Sequence, residues 1–158
     1  MAEVYFYHLT RRSVPETLTP LLTRSLAQGW RVAVRGGDPE RLRRLDETLW
    51  LGDPAAFLPH GLAGGDHDAR QPILLTPGPV ANDPDCLMAI DGADLSPDEV
   101  SPLKRACLLF DGTDGAALDR ARAQWRSLTE AGLPARYWSE ESGAWEQKQT
   151  RNVAEAGT

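Results

Sequence analysis

The chain of 158 residues has little of what reactive or stapled sites are built from: two cysteines and three histidines. Cys86 and Cys107 sit in apolar runs with no CxxC spacing and no neighbouring histidine, so they read as reduced, buried small hydrophobes. His8, His60 and His67 are separated by stretches of different texture, without HExxH spacing, and give no pattern for a metal centre or a histidine-based triad. Positive charge is also in deficit. Lys and Arg number 17 against 23 Asp and Glu, a net −6, so strong direct nucleic-acid binding through a broad basic face is excluded and any positive patch must be local. No apolar run approaches the ~20 residues that span a bilayer, and Met1-Ala-Glu-Val-Tyr-Phe-Tyr7 has no basic leader, which points to a cytoplasmic protein with no membrane contact.

Glycine is missing where a nucleotide site would need it. The first strand-to-helix turn, Thr10-Arg-Arg-Ser-Val-Pro15, carries neither a dinucleotide fingerprint nor a P-loop. Gly61-Leu-Ala-Gly-Gly65 follows no strand and opens no helix, so it reads as a turn. No GxSxG elbow occurs. Phe110-Asp-Gly-Thr-Asp114 is similar to the loop of aspartyl phosphatases, but Leu109 stands at the nucleophile position, and a leucine cannot attack phosphorus. Asp111 and Asp114 then read as a turn and a helix cap. A small nucleotide-binding or phosphate-processing α/β enzyme would have to rely on Asp91, Asp111 and Asp114. With no activated nucleophile or poised base in sight, no catalytic residue, metal or cofactor is expected.

What is present is alternating strand and helix. Val4 to Leu9 is aromatic and β-branched, and Ser13-Val-Pro-Glu16 has the form of a capping box for a helix carrying Leu18, Leu21, Leu22 and Leu26. Trp30 to Arg35 reads as a strand. Asp38-Pro-Glu40 opens a second helix with Leu42, Leu45 and Leu49 on one face, ending at Trp50. Ile73–Thr76, Cys86–Ile90 and Arg105–Phe110 read as strands, Ser96-Pro-Asp-Glu99 as another capping box, and Ala135 to Trp138 as the strand that closes the sheet. The pattern predicts a single α/β domain, a three-layer Rossmann-like sheet, mostly parallel, with five or six strands and three main helices. It occupies residues 1–146, and 147–158, with no apolar pattern, is predicted to be a flexible tail.

The best-defined element starts at the cap Asp114 and stops at Gly132. Ala117, Leu118, Ala121, Trp125 and Leu128 recur at helical spacing and face a sheet, while Arg122, Trp125 and Arg126 stand at i, i+3, i+4 and share an edge. Two guanidiniums flanking an indole suit a partner that carries negative charge beside an apolar group, with Arg136 expected near them after the turn. Read as packing, Trp125 only fills the core and the two arginines are a solvated face. A second candidate contact surface runs from Trp50 to His60, apolar and bounded by prolines.

At Val4-Tyr-Phe-Tyr7, Arg44-Leu-Asp-Glu-Thr-Leu-Trp50, Phe57-Leu-Pro-His-Gly-Leu-Ala-Gly64 and the last helix with its Ala131-Gly132 stop, the sequence resembles the chi subunit family of the DNA polymerase III holoenzyme. The likeness covers most of residues 3 to 145. It implies a non-catalytic replication accessory subunit that binds the acidic C-terminal tail of single-stranded DNA-binding protein and links it to the clamp loader. By the resemblance, Arg122 and Arg126 fall on basic tail-binding positions and Trp125 on an aromatic one, while Leu118 replaces a further basic position. Trp50 and Phe57 match aromatic contacts with the psi subunit, or with another clamp-loader component in its place.

Overall fold

The computed structural model describes residues 2–51 and 58–153. Strand β1 (Glu3–Leu9) leads through helix α1 (Val14–Ala27) to β2 (Val32–Gly36) and helix α2 (Pro39–Trp50). There follow β3 (Gly61–Leu62), β4 (Ile73–Thr76), β5 (Cys86–Ile90), the one-turn helix α3 (Pro97–Val100) and β6 (Arg105–Asp111). Helix α4 (Gly115–Glu130), β7 (Ala135–Ser139) and β8 (Glu146–Arg151) complete the order. The strands form one eight-stranded sheet, β3-β4-β2-β5-β6-β1-β7-β8, parallel at every pairing except the antiparallel β7–β8 edge.

Both faces of that sheet are covered, giving the three layers of a Rossmann-like α/β domain. On one face Leu18, Leu22, Leu42, Leu45 and Leu49 from α1 and α2 pack on Val32, Val34, Ile73, Leu75, Met88, Ile90 and Leu109. On the other, Val100, Ala121 and Leu128 from α3 and α4 pack on Val4, Phe6, Leu87, Ala106, Leu108 and Phe110. Strand β5 is buried at all five positions, which is why it reads as an unbroken apolar run instead of an alternating one. Cys86 and Cys107 are free thiols inside this core.

Local chemistry sets the helix starts. Ser13 Oγ accepts from the Glu16 amide, Asp38 Oδ1 from those of Glu40 and Arg41, and Asp114 Oδ1 from that of Ala116. At Ser96 the capping box is complete, whereas the Glu16 carboxylate accepts from the Ser13 hydroxyl and not from the Ser13 amide. Gly132 takes φ 90° just past the end of α4, a backbone conformation that glycine adopts without a steric penalty.

Two strands differ from the sequence reading. β3 adds a two-residue strand beside β4, at Gly61–Leu62, the start of a stretch read as a turn. β8 places residues 146–151, most of them read as part of a flexible tail, on the sheet edge beyond β7, so Ala135 to Trp138 does not close the sheet. All six residues of β8 are exposed, so no apolar alternation marks it. Backbone pairing holds it to the ladder, with help from side-chain bonds of Gln147 to Arg136 and Arg151 to Thr129 and from Asn152, whose amide donates to the carbonyls of Thr129 and Leu133.

Candidate functional site

Helix α4 runs antiparallel to the strands it covers, and a groove of about 980 Å³ opens between it and the β7–β8 edge. Arg122, Trp125 and Arg126 all line it, as their i, i+3, i+4 spacing predicts, together with Leu118 and Ala121 one turn earlier. The indole is neither sealed in nor fully free. It meets Phe6 edge-on at 5.2 Å between centroids and Tyr137 at 6.0 Å, and the rest of the ring faces the groove.

The two guanidiniums are available. Arg122 comes only within 3.7 Å of Asp119, with side chains 66% and 80% exposed, a pairing worth little in water. Arg126 makes no ion pair among the described residues. Across from them the wall holds Tyr137, Lys148 and Gln149, and the floor near the strand ends holds His8, Gly112, Ser139 and Glu141. His8 Nδ1 lies 2.7 Å from the Tyr137 hydroxyl and His8 Nε2 3.5 Å from Glu141. A side chain at Gly112 would collide with the His8 ring, so glycine is what lets the β6–α4 turn close over it. Burial pushes the Tyr137 phenol up to about 12, and nearby Glu141 adds to the rise while Arg122 opposes it.

Arg136 is not part of this groove. On β7 its side chain points to the opposite face from Tyr137, where it bonds Gln147 and approaches Glu3 at 3.5 Å. His8, Glu141, Tyr137 and Lys148 were not singled out from the sequence. Only counting alternation along β1 and β7 would have brought in His8 and Tyr137, and no residue pattern announces β8.

The second surface lies at the far end of α2. Trp50 is 50% exposed and stacks on buried His60 at 4.2 Å, and Leu51 beside it is 85% exposed. His60 is held by the Leu58 and Asp46 carbonyls and by the Asp46 carboxylate, so it serves the packing here. Phe57, assigned to the same surface by resemblance, lies outside the described residues.

β6 and β1 are neighbours, yet α1 and α4 leave them toward opposite faces, and open α/β folds place ligands in the crevice at such a switch point. The structure does bring Asp91, Asp111 and Asp114 around one cavity there, of about 370 Å³. Each is already committed. Asp91 accepts from Arg41 at 3.0 Å and Asp114 caps α4. Asp111 accepts from the Thr113 hydroxyl and amide, which hold its carboxyl below the usual carboxylate range. No cluster of three or more possible metal ligands exists among the described residues.

The amides that could cradle a phosphate are filled as well. Glu140, itself buried, accepts from the Arg11 and Arg12 amides at 2.6 Å each, in the turn where a dinucleotide fold would hold pyrophosphate. Asp68 does the same for the Gly64 and Gly65 amides.

Comparison with known families settles the lineage. The model of the DNA polymerase III chi subunit, HolC, matches residues 1–136. The chain belongs to that family. Chi subunits are accessory subunits of DNA polymerase III, and the match takes in Trp50 and the whole of α4 but stops inside β7, before Tyr137 and the β8 wall of the groove. No curated protein matches the chain. No described helix is long and apolar enough to cross a membrane.

Proposed function

We propose that the protein is a non-catalytic, cytoplasmic subunit that holds the acidic C-terminal tail of single-stranded DNA-binding protein in the α4–β8 groove and links it to the clamp loader. The observation that carries this reading is the pair Arg122 and Arg126, unneutralised or nearly so, on either side of a half-buried indole in a chain of net charge −6. An Asp-rich tail ending in an apolar residue and a free carboxylate needs guanidinium forks beside an apolar slot. Leu118, Ala121, Trp125 and Tyr137 line that slot.

The clamp-loader side would dock on Trp50 and Leu51, with Phe57 adjoining in sequence; the psi subunit or another clamp-loader component is the partner. Against turnover stand the committed aspartates and the two amide cradles closed by the chain's own carboxylates.

The test is a titration of a labelled tail peptide. Arg126→Ala should weaken binding by about 1–3 kcal/mol with the fold unchanged by circular dichroism, the size of a lost charge-assisted hydrogen bond. Equal affinity for wild type, Arg122→Ala and Arg126→Ala removes the site. Trp50→Ala should keep peptide binding and lose capture of the clamp-loader component.

A further inference from the structure

The far wall of the groove is built by an irregular pairing. Trp138 opposes Gln147 and Tyr137 opposes Gln149, so Lys148 is an extra residue with no partner across the ladder. In an unbroken strand, neighbouring side chains point to opposite faces. Here Lys148 and Gln149 both line the groove that Arg122, Trp125 and Arg126 line from the other side. Gln147 bonds Arg136 on the opposite face, so Lys148 after it faces α4, and the bulge keeps Gln149 on that face as well. Helix α4 itself offers only two cations to the groove, since Leu118, one turn earlier, is apolar.

The ammonium is also free to change partners. Its contact is Glu146 at 3.0 Å, with the side chains 45% and 50% exposed, and such a pair in open water contributes little. Lys148 lines the groove and Glu146 does not, so the pair sits at its rim.

Resting on the tail-binding reading above, we infer that Lys148 is a third cation of the groove, set at the β-bulge opposite α4 so that an acidic peptide is gripped from both walls. The ligand this arrangement takes is an extended, carboxylate-rich chain end. Its alternate side chains reach α4 and β8 in turn, and its apolar terminus rests against Leu118 and Trp125. A single phosphate or a free aspartate would reach only one wall. Lys148 lies on β8, beyond residues 1–136 that the family model matches.

The experiment is fluorescence anisotropy on the full chain with an Asp-rich peptide ending in an apolar residue and a free carboxylate. Wild type, Arg126→Ala, Lys148→Glu and Lys148→Arg are compared, with melting curves as a fold check. Lys148→Glu is expected to weaken binding about tenfold, with Lys148→Arg near wild type and all variants folded. If Arg126→Ala weakens binding and Lys148→Glu does not, the third cation is overturned and the tail-binding reading stands. If neither variant changes the affinity, that reading fails and this inference goes with it.

Discussion

Glu140 Oε1 accepts a hydrogen bond from the Arg11 amide at 2.6 Å across 129 residues of sequence, tying the exit of β7 to the turn after β1. The same oxygen takes the Arg12 amide, and Arg12 leans over the carboxylate at 3.8 Å. A carboxylate is thereby installed where related architectures place a ligand's phosphate. Glu140→Ala should cost about 1–3 kcal/mol, because it leaves two amides without their acceptor. Glu140→Gln, which keeps an acceptor oxygen, should cost less. Urea unfolding of the two variants checks this, and equal stability of Glu140→Ala and wild type would refute it.

Arg35 and Glu99 form a two-pronged pair at 2.7 and 2.9 Å, joining β2 to α3. That bond, more than any other contact, holds the Glu99 carboxyl below its ordinary 4.5. The native state thus binds its proton more weakly than the unfolded chain does, and the pair's stabilisation is present above that value and lost as pH falls below it. Thermal melts of wild type and Glu99→Gln should differ at neutral pH and converge in acid.

Tyr137 titrates in the other direction. Its phenol is pushed up to about 12 in the fold against 10.0 when free, so the native state keeps a proton that the unfolded chain gives up. This contribution is whole below pH 10.0 and fades between there and about 12. Burial raises Tyr7 as well, so the ultraviolet titrations of wild type and Tyr137→Phe should differ by one late-ionising phenol, and the variant should flatten that part of the stability curve.

Glu141 is the acid among the groove's lining residues and stands beside His8. It repels any incoming carboxylate. Glu141→Gln should tighten tail-peptide binding by about two- to threefold at low salt, and the gain should shrink as ionic strength screens the charge. A calorimetric titration at two salt concentrations decides it.

The helix starts at Ser13, Asp38, Ser96 and Asp114 were legible because cap chemistry is local, written within three or four residues. The arginine–tryptophan edge was legible for the same reason. What stayed hidden depends on distance or on absence of pattern. Glu140 meets Arg11 only through the fold, and Lys148 sits on a wholly exposed strand whose hydrophobicity has no period to detect. Arg136 was misplaced because proximity in sequence was followed instead of alternation, which sends it away from Tyr137. The aspartates gathered at the strand ends show the converse case, residues brought together by topology and each already occupied.

The outermost strand also bears on how copies of this molecule treat one another. Beneath β8, the inner ribbon Ala135–Ser139 carries Tyr137 and Trp138, and its amides and carbonyls would form an open docking row if left bare. Charged and amide-bearing Glu146, Gln147, Lys148 and Gln149 shield that row and present water with a poor template for stacking. Cutting the chain after Trp145 should therefore turn a dispersed protein into one that self-associates, visible as rising light scattering with concentration.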